Sequence, residues 1–281
     1  MSLSYRNKKI IIKIIFTILM SVIGICMVVP FVWMLSASFK PDNEIFNFPI
    51  AWIPKTFTLA NYDRVWNSYD IPFTRFFMNS LKVTSISVIG ELITSALAAY
   101  AFAKIKFRGR EIIFLVYLST LAFPNQMMLI PRFVVFREIG IYNTHLALIL
   151  PGMFTAFGTF MLRQFFMSIP DELLESAKVD GASHSVIFRK IMIPLALPAF
   201  SALIIFQFVG SWNEYESALV YIRDKSLATI PLGLNFFKDE NSTSYGAIMA
   251  ASVCSLIPIF MVFLIFQKQF VAGIATTGMK E

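Results

Sequence analysis

Six long apolar stretches constrain this chain more than any other feature of its sequence. Each is long enough to cross a bilayer core of roughly 30 Å, because an α-helix rises about 1.5 Å per residue. We predict spans at residues 14–35, 83–103, 112–131, 143–162, 197–221 and 246–266. Backbone in lipid must satisfy its own hydrogen bonds, so the pattern predicts an all-α, polytopic membrane protein with six transmembrane helices.

The composition supports this interpretation. Of the 281 residues, 57% are hydrophobic and only 15% are charged, whereas soluble domains carry about 25% charged residues. The net charge of +7 could suggest a nucleic-acid partner, but Lys and Arg in a membrane chain mark cytoplasmic segments. The first apolar stretch exceeds the roughly 7–15 residues of a signal-peptide core, so we expect a retained helix.

Lys and Arg are distributed unequally between the two sets of connecting segments. The set that includes both termini and residues 168–198 carries fourteen of them, and the opposite set carries nine. Because cytoplasmic segments are enriched in Lys and Arg, we expect both termini and residues 168–198 to be cytoplasmic.

A charged segment at residues 168–198 interrupts the apolar sequence. Its first part predicts a helix over 171–181, because acidic residues suit a first turn and Gly181 suits a left-handed stop. The apolar stripe of this helix consists of Leu173, Leu174 and Ala177. Ser183 suits the N-cap of a second helix that runs to Pro194. Two short helices around a glycine are also typical of a DNA-binding helix-turn-helix, but the flanking stretches belong in lipid.

The order of residues in this segment is that of a known signature. Glu175-Ser176-Ala177, Asp180-Gly181-Ala182 and Ile191-Met192-Ile193-Pro194 follow one another at the spacing of E-A-A…G…I-x-L-P. The segment thus resembles the signature of membrane subunits of binding-protein-dependent ABC importers, with Ser176 for an alanine and Ile193 for a leucine. The resemblance implies a cytoplasmic coupling loop at 168–196, whose first helix docks into a cleft on a separate ATPase subunit. The implied coupling residues are Leu173, Leu174, Glu175, Ser176, Ala177, Asp180, Gly181 and Ala182.

Further motifs extend the resemblance over nearly the whole chain, to the maltose-type sugar permeases. They are Thr58-Leu59-Ala60-Asn61-Tyr62, Asn79-Ser80, Ala99-Tyr100-Ala101-Phe102-Ala103 with Gly109-Arg110, Pro124 with Pro131, Gly140 with Asn143-Thr144, Trp212-Asn213-Glu214-Tyr215, Pro231-Leu232-Gly233-Leu234 and a tail from Phe270 to Lys280. The resemblance implies a type I ABC importer permease fold in a bacterial or archaeal cell membrane. It also implies a second homologous permease subunit, two ATPase subunits and an extracytoplasmic sugar-binding protein as partners.

Catalytic and cofactor motifs are missing from the sequence. There is no G-x-x-x-x-G-K-[ST] phosphate loop, so ATP and Mg²⁺ are expected on the partner ATPase rather than on this chain. Cys26 and Cys254 fall within apolar stretches, and His145 and His184 are isolated, so neither a disulfide framework nor a metal site is predicted. We therefore expect a transport subunit rather than an enzyme.

Polar residues within the spans are the candidates for the substrate pathway. Glu91 lies midway through the second span, where a carboxylate is costly and is expected to face the bundle interior. It either pairs with another helix or lines the pathway, and a protonated carboxyl is a further alternative. Asn213, Glu214 and Tyr215 combine amide, carboxylate and aromatic groups, which suits a sugar. An interfacial aromatic belt explains Tyr215 equally well.

Some alternatives stay open at this level. Residues 36–75 predict an ordered extracytoplasmic segment, which is either part of a binding-protein platform or a cap over the first helix. An ion-driven secondary transporter would need paired intramembrane acids, and Glu91 has no evident counterpart. An intramembrane enzyme would need a catalytic motif such as H-E-x-x-H or G-x-S-x-G, which is missing. Within the ABC class, the solute could instead be an amino acid, a peptide or an anion.

Overall fold

The computed structural model describes residues 5–68, 71–238 and 244–277, with side chains described from residue 9 to residue 270 within these ranges. Over this part of the chain the secondary structure is helical and contains no β-strand, so the predicted all-α fold is confirmed. The end of the predicted tail motif, Gly278-Met279-Lys280, lies outside the described residues.

The helices vary from single turns to rods long enough to cross a bilayer. In chain order the α-helices are α1 (Tyr5–Ser38), α2 (Asp42–Ile45), α3 (Ala60–Asn67), α4 (Phe73–Lys104), α5 (Arg110–Ser119), α6 (Asn125–Glu138), α7 (Leu146–Gly152), α8 (Ala156–Ser168), α9 (Glu172–Val179), α10 (His184–Ile187), α11 (Ile193–Leu195), α12 (Leu197–Trp212), α13 (Glu216–Tyr221), α14 (Ile230–Gly233) and α15 (Tyr245–Thr277). Short 3₁₀ turns occupy Thr120–Ala122, Lys225–Leu227 and Leu234–Phe237, and a π-helical turn occupies Phe188–Met192.

Four segments among the described residues are each long and apolar enough to cross a membrane without a sharp bend. They are Lys9–Ser38, Phe73–Lys104, Leu146–Ser168 and Tyr245–Phe270. Two further segments qualify as bent pairs: α5 with its 3₁₀ turn meets α6 at 100°, and the α10–α11 segment meets α12 at 74°. The described part of the chain therefore has four to six candidate spans, which agrees with a polytopic permease fold.

The structure changes three of the predicted spans, two of them by a bend. The span at 112–131 is broken before Pro124, because proline disfavours helical backbone at the preceding residue, and Phe123 is indeed extended. The span at 143–162 starts at Leu146 and continues to Ser168, and the span at 197–221 ends its first helix at Trp212.

The described structure divides into two compact units: the described residues up to 71 with those of 237–254, and residues 72–236 with those from 255 to 277. In the second unit α4 packs along α7, α8 and α12. One buried cluster of this unit includes Tyr100, Leu162, Phe166, Leu174, Ile187, Met192 and Leu203. The sequence predicts one permease domain over residues 1–281, and that assignment stays a prediction.

The first unit is an ordered fold rather than a linker. The side-chain amide of Asn61 donates to the backbone oxygens of Ser38, at 2.9 Å, and of Lys40, at 2.7 Å. The carboxylate of Asp42 accepts from the backbone N–H of Gly246 at 2.6 Å. These bonds tie the segment after α1 to α3 and to the start of α15. The predicted order of this segment agrees with these contacts, and its place in a platform stays a prediction.

Candidate coupling site

The turn after α9 is closed by backbone hydrogen bonds around Gly181. The N–H of Gly181 donates to the Lys178 oxygen at 2.9 Å, and the N–H of Ala182 donates to the Ala177 oxygen at 2.9 Å. This bond pair is a Schellman motif, which requires left-handed backbone at the residue after the helix. Gly181 has φ of +82°, so the predicted left-handed stop is confirmed. A β-carbon there would meet nothing within 4 Å, so the requirement for glycine is conformational.

The apolar residues of α9 do not form one docking stripe. Leu174 is only 5% exposed and packs in the same cluster as Ile187 and Met192 of this chain. Leu173 is 46% exposed. The prediction that Leu174 fills a cleft on a partner is therefore wrong, because its side chain already fills a pocket of its own subunit. Val179, which sequence analysis missed, is 88% exposed at the last turn.

A groove of about 470 Å³ runs beside the exposed face of α9. Its lining residues are Leu173, Ser176, Ala177 and Asp180 on one side and Lys190, Ile191, Pro194 and Leu195 on the other. The lining combines apolar side chains with the opposite charges of Asp180 and Lys190. Glu175 is exposed outside this lining. The groove and its rim thus present the combination of apolar and charged groups that a protein partner can recognise.

The helix after the turn departs from the predicted regular helix. Ser183 is the N-cap residue, and its backbone oxygen accepts from Val186 and Ile187 at 3.0 Å, but its side chain makes no capping bond. The π-helical turn that follows precedes Pro194, whose ring cannot donate to the fourth residue before it. Widening of the helix at this place accommodates the proline, and such π-turns are frequent at functional sites.

Two side chains of α4 hold the signature segment onto the bundle. The ammonium group of Lys104 donates to the Ile169 oxygen at 2.7 Å and to Asp171 Oδ1 at 2.6 Å. The side chain of Lys104 is 4% exposed, whereas that of Asp171 is 72% exposed. The hydrogen bond and charge of Lys104 lower the pKa of Asp171. One turn earlier, the Tyr100 hydroxyl lies 2.9 Å from Nδ1 of His184 at the start of α10.

Sequence analysis missed the anchoring roles of Tyr100, Lys104 and His184. In sequence, Lys104 is one of the basic residues of a connecting segment, and His184 is an isolated histidine. Among the described residues, no group of three or more His, Cys, Asp or Glu side chains is placed to hold a metal. The sequence contains one signal for this contact: Lys104 directly follows the predicted span 83–103, where a basic side chain can bind a neighbouring loop.

Glu91 lies inside the second unit, on the face of α4 that packs against α8. It is 1% exposed, and its Oε1 accepts from the Thr155 hydroxyl, which also accepts from the Gly158 N–H and caps α8. A β-carbon at Gly158 would lie 2.8 Å from Oε1 of Glu91 and 2.7 Å from the Ser95 hydroxyl. Glu91 therefore faces the bundle interior at the break between α7 and α8. Its role in the pathway stays a prediction.

The predicted sugar-contact residues lie between α12 and α13. Asn213, Glu214 and Tyr215 are exposed, whereas Trp212 is buried and donates to the Ser255 oxygen at 3.1 Å. The carboxylate of Glu214 accepts from the Ser217 N–H at 2.8 Å and so caps α13. The side chains of Asn213, Glu214 and Tyr215 are thus accessible to solvent, whereas the indole of Trp212 packs inside the subunit.

A sequence model of one protein family covers most of this architecture. The family is described as the binding-protein-dependent transport system inner membrane component, and its model matches residues 91–276, more than half of the chain. The chain belongs to this family. The match includes α9, its Schellman turn and the spans on both sides of them. The permease is accordingly a multi-pass membrane subunit of an ABC transporter.

Individual relatives of the permease match it over nearly its whole length. The arabinooligosaccharide transport system permease protein AraQ of Halalkalibacterium halodurans is 32% identical over 277 residues, covering 98% of this chain and 99% of the relative. The sn-glycerol-3-phosphate transport system permease protein UgpE of Salmonella typhi is 32% identical over 267 residues, covering 92% and 95%. A solved chain of a bacterial ABC transporter involved in the import of alginate superposes with a TM-score of 0.82 at 25% identity, covering 96% and 100%.

Proposed function

We propose that this permease is one of two membrane subunits of an ATP-driven carbohydrate importer and forms half of the translocation pathway. In this assembly a second homologous permease completes the pathway, two ATPase subunits supply the energy, and an extracytoplasmic binding protein delivers the sugar. The observation that carries the proposal is the exposed face of α9, mounted rigidly on a membrane bundle of an importer family.

The mounting of α9 supports a mechanical role. Leu174 inserts into the core of the subunit, and Lys104 binds both Ile169 and Asp171. A force applied to the exposed face of α9 is therefore transmitted to α4, because these contacts already fix the segment between the two helices. Closure of the ATPase pair then moves the segment as a rigid body. This movement opens the translocation pathway between the two permease subunits to the outside.

The docking surface consists of the exposed residues around the groove. Leu173 and Val179 offer apolar area, and Asp180 and Glu175 offer carboxylates to basic side chains of the ATPase. In this arrangement the signature segment and both termini are cytoplasmic, which agrees with the distribution of Lys and Arg. ATP and Mg²⁺ bind to the partner ATPase, and this chain binds no cofactor.

A sugar is the favoured solute because relatives of this length are named for oligosaccharides. Asn213, Glu214 and Tyr215 supply accessible hydrogen-bonding and aromatic groups that suit it. A second candidate is a small phosphorylated polyol, because the sn-glycerol-3-phosphate permease has the same 32% identity to this chain as the arabinooligosaccharide permease. The two candidates differ in charge, so transport assays separate them.

Substitution of Gly181 by Trp tests the coupling role. The variant places a bulky side chain beside the groove, and we expect uptake to fall roughly tenfold or more while membrane insertion is unchanged. Gly140→Trp is the matched control, since Gly140 also has positive φ, +76°, and open space around its α-carbon. Both variants place a tryptophan at positive φ in open space, so a loss confined to Gly181→Trp reports docking. Normal uptake by Gly181→Trp would contradict the proposal.

The solute is tested with the complete assembly in proteoliposomes. ATP hydrolysis is measured with the binding protein loaded with neutral oligosaccharides or with sn-glycerol-3-phosphate. We expect stimulation by an oligosaccharide only. Stimulation by the phosphorylated polyol alone would select the second candidate, and solute uptake by this chain alone along an ion gradient would replace the ABC proposal with a secondary transporter.

A further inference from the structure

A cleft of about 410 Å³ lies at the turn that joins α4 to α5. Its lining residues are Lys106, Phe107, Gly109, Arg110, Glu111 and Ile112. Because this turn connects two membrane-crossing segments, the cleft lies where the bilayer meets water. It is separate from α9 and its groove, whose lining shares no residue with it.

The turn that forms the cleft is positively charged: Lys106 lines the cleft, and Arg108 stands in sequence between the lining residues Phe107 and Gly109. Lys106 and Arg108 are exposed and, in the part of the chain that the structure describes, form no salt bridge. Arg110 pairs with Glu111 at 3.0 Å, and Arg163 also binds Glu111 at 2.8 Å. The carboxylate in the cleft is therefore neutralised by two guanidinium groups, which leaves the two exposed cations to attract an anion.

A second acid near the cleft is also engaged. Asp171 binds the ammonium group of Lys104, and Lys106 contributes to lowering the pKa of Asp171 through its charge. Among the described residues, Asp171 and Lys106 form no salt bridge with each other. The ammonium group of Lys106 can therefore donate hydrogen bonds to a bound ligand.

An apolar wall continues from the cleft along α5. Ile112 is 69% exposed, Leu115 is 63% exposed and Val116 is 65% exposed. Phe107, at the mouth of the cleft, is 41% exposed. A soluble anion would contact the cations alone, whereas a lipid has a charged end for the cleft and acyl chains for the apolar wall beside it.

We propose that this cleft binds the headgroup of an anionic phospholipid. The phosphate lies against Lys106 and Arg108, and the acyl chains cover Ile112, Leu115 and Val116. Basic pockets at the ends of membrane helices recognise anionic headgroups by this combination of charge and depth. The bound lipid fills the space between the turn and the bilayer and stabilises the junction of α4 and α5.

Native mass spectrometry of the purified full-length chain tests the proposal. The protein in detergent is titrated with phosphatidylglycerol, with phosphatidylcholine or with inorganic phosphate. We expect one phosphatidylglycerol to bind in preference to phosphatidylcholine, with little competition from millimolar phosphate. Each cation near an anionic headgroup is worth roughly a fivefold change in binding, so the K106Q/R108Q double variant should bind phosphatidylglycerol about 30-fold more weakly.

Two control variants make the result decisive. The charge-conserving K106R/R108K variant should retain phosphatidylglycerol, and K268Q, at an exposed basic position on α15, should bind it as the unmodified chain does. Equal binding of the two lipids, retention of phosphatidylglycerol by K106Q/R108Q or full displacement by inorganic phosphate would each overturn the proposal. A weakening shared by K268Q would also overturn it, because the attraction would then come from overall charge.

Discussion

Lys104, the last residue of α4, donates to the carboxylate of Asp171 at 2.6 Å, although 67 residues separate them in sequence. The same ammonium group donates to the Ile169 oxygen. One buried side chain thus fixes the start of the signature segment to a membrane helix. The exposed face of α9 is positioned by this contact as well as by its own helical geometry.

Replacement of Lys104 by Met should loosen this attachment. The variant loses a charge-assisted bond to the Ile169 oxygen, and such bonds contribute about 1.5–3 kcal/mol. We expect a lower unfolding temperature and weaker coupling of ATP hydrolysis to transport in the assembled importer. Lys178→Met, which removes a cation at the exposed end of α9 but no anchoring bond, is the control for a general effect of charge. Coupling in the Lys104→Met variant equal to that of the unmodified importer would show that this attachment does not contribute to coupling.

The same pair sets a pH dependence. Because Lys104 lowers the pKa of Asp171, the ion pair stabilises the fold at pH values above the ordinary aspartate pKa of 3.8. That contribution is lost as the pH falls through the lowered pKa in the folded state. We expect the unfolding temperature of the unmodified chain to fall more steeply below pH 4 than that of Asp171→Asn, in thermal scans between pH 3 and pH 7. Parallel curves would exclude the ion pair as a source of stability.

Leu174 and Val179 should respond differently to truncation. Leu174→Ala opens space in the core of the subunit and should lower the free energy of unfolding by about 2–5 kcal/mol. Val179→Ser changes an exposed residue and should leave unfolding unchanged while it reduces binding of the ATPase partner. Thermal unfolding and co-purification with the ATPase measure the two effects. Loss of stability in Val179→Ser with normal ATPase binding would show that Val179 belongs to the core of the subunit rather than to the docking surface.

Gly158 and Gly210 provide a matched pair for packing in the membrane bundle. A β-carbon at Gly158 meets Glu91, Ser95 and Thr155 oxygens at 2.7–2.9 Å, whereas one at Gly210 meets nothing within 4 Å. We expect Gly158→Ala to lower the free energy of unfolding by about 1–3 kcal/mol. Gly210→Ala should leave the unfolding temperature unchanged or raise it. Similar behaviour of the two variants in detergent would contradict the close contact of α4 and α8 at Glu91.

Substitutions at Asn213 and Glu214 test the pathway prediction. Asn213→Ala removes an exposed amide and should raise the KM for uptake by about threefold to tenfold, the effect of one hydrogen bond to solute, without reducing assembly. Glu214→Ala also removes the cap of α13, which costs about 1 kcal/mol of stability. Glu214→Gln retains a cap acceptor and isolates the contribution of the charge. Unchanged uptake kinetics in both Asn213→Ala and Glu214→Gln would remove these residues from the pathway.

Local patterns were sufficient to predict some features of the coupling segment. Left-handed backbone at Gly181 follows from the preference of one residue type for positive φ at a helix end, which depends on few neighbours. The burial of Leu174 could not be predicted, since Leu173 and Leu174 are adjacent on the helix and equally apolar. Which of them turns inward depends on where the core of α4 and α12 lies.

The sequence by itself determined that this chain is a membrane protein of helices, because hydrophobic length and backbone satisfaction in lipid act on each segment separately. It also determined the family, because the signature residues stand in order along the chain. Only the tertiary structure decided which face of α9 is free, how the third and fifth spans bend, and that Lys104 holds Asp171. These features arise from contacts between residues far apart in sequence, where packing and electrostatic partners are set by the whole fold.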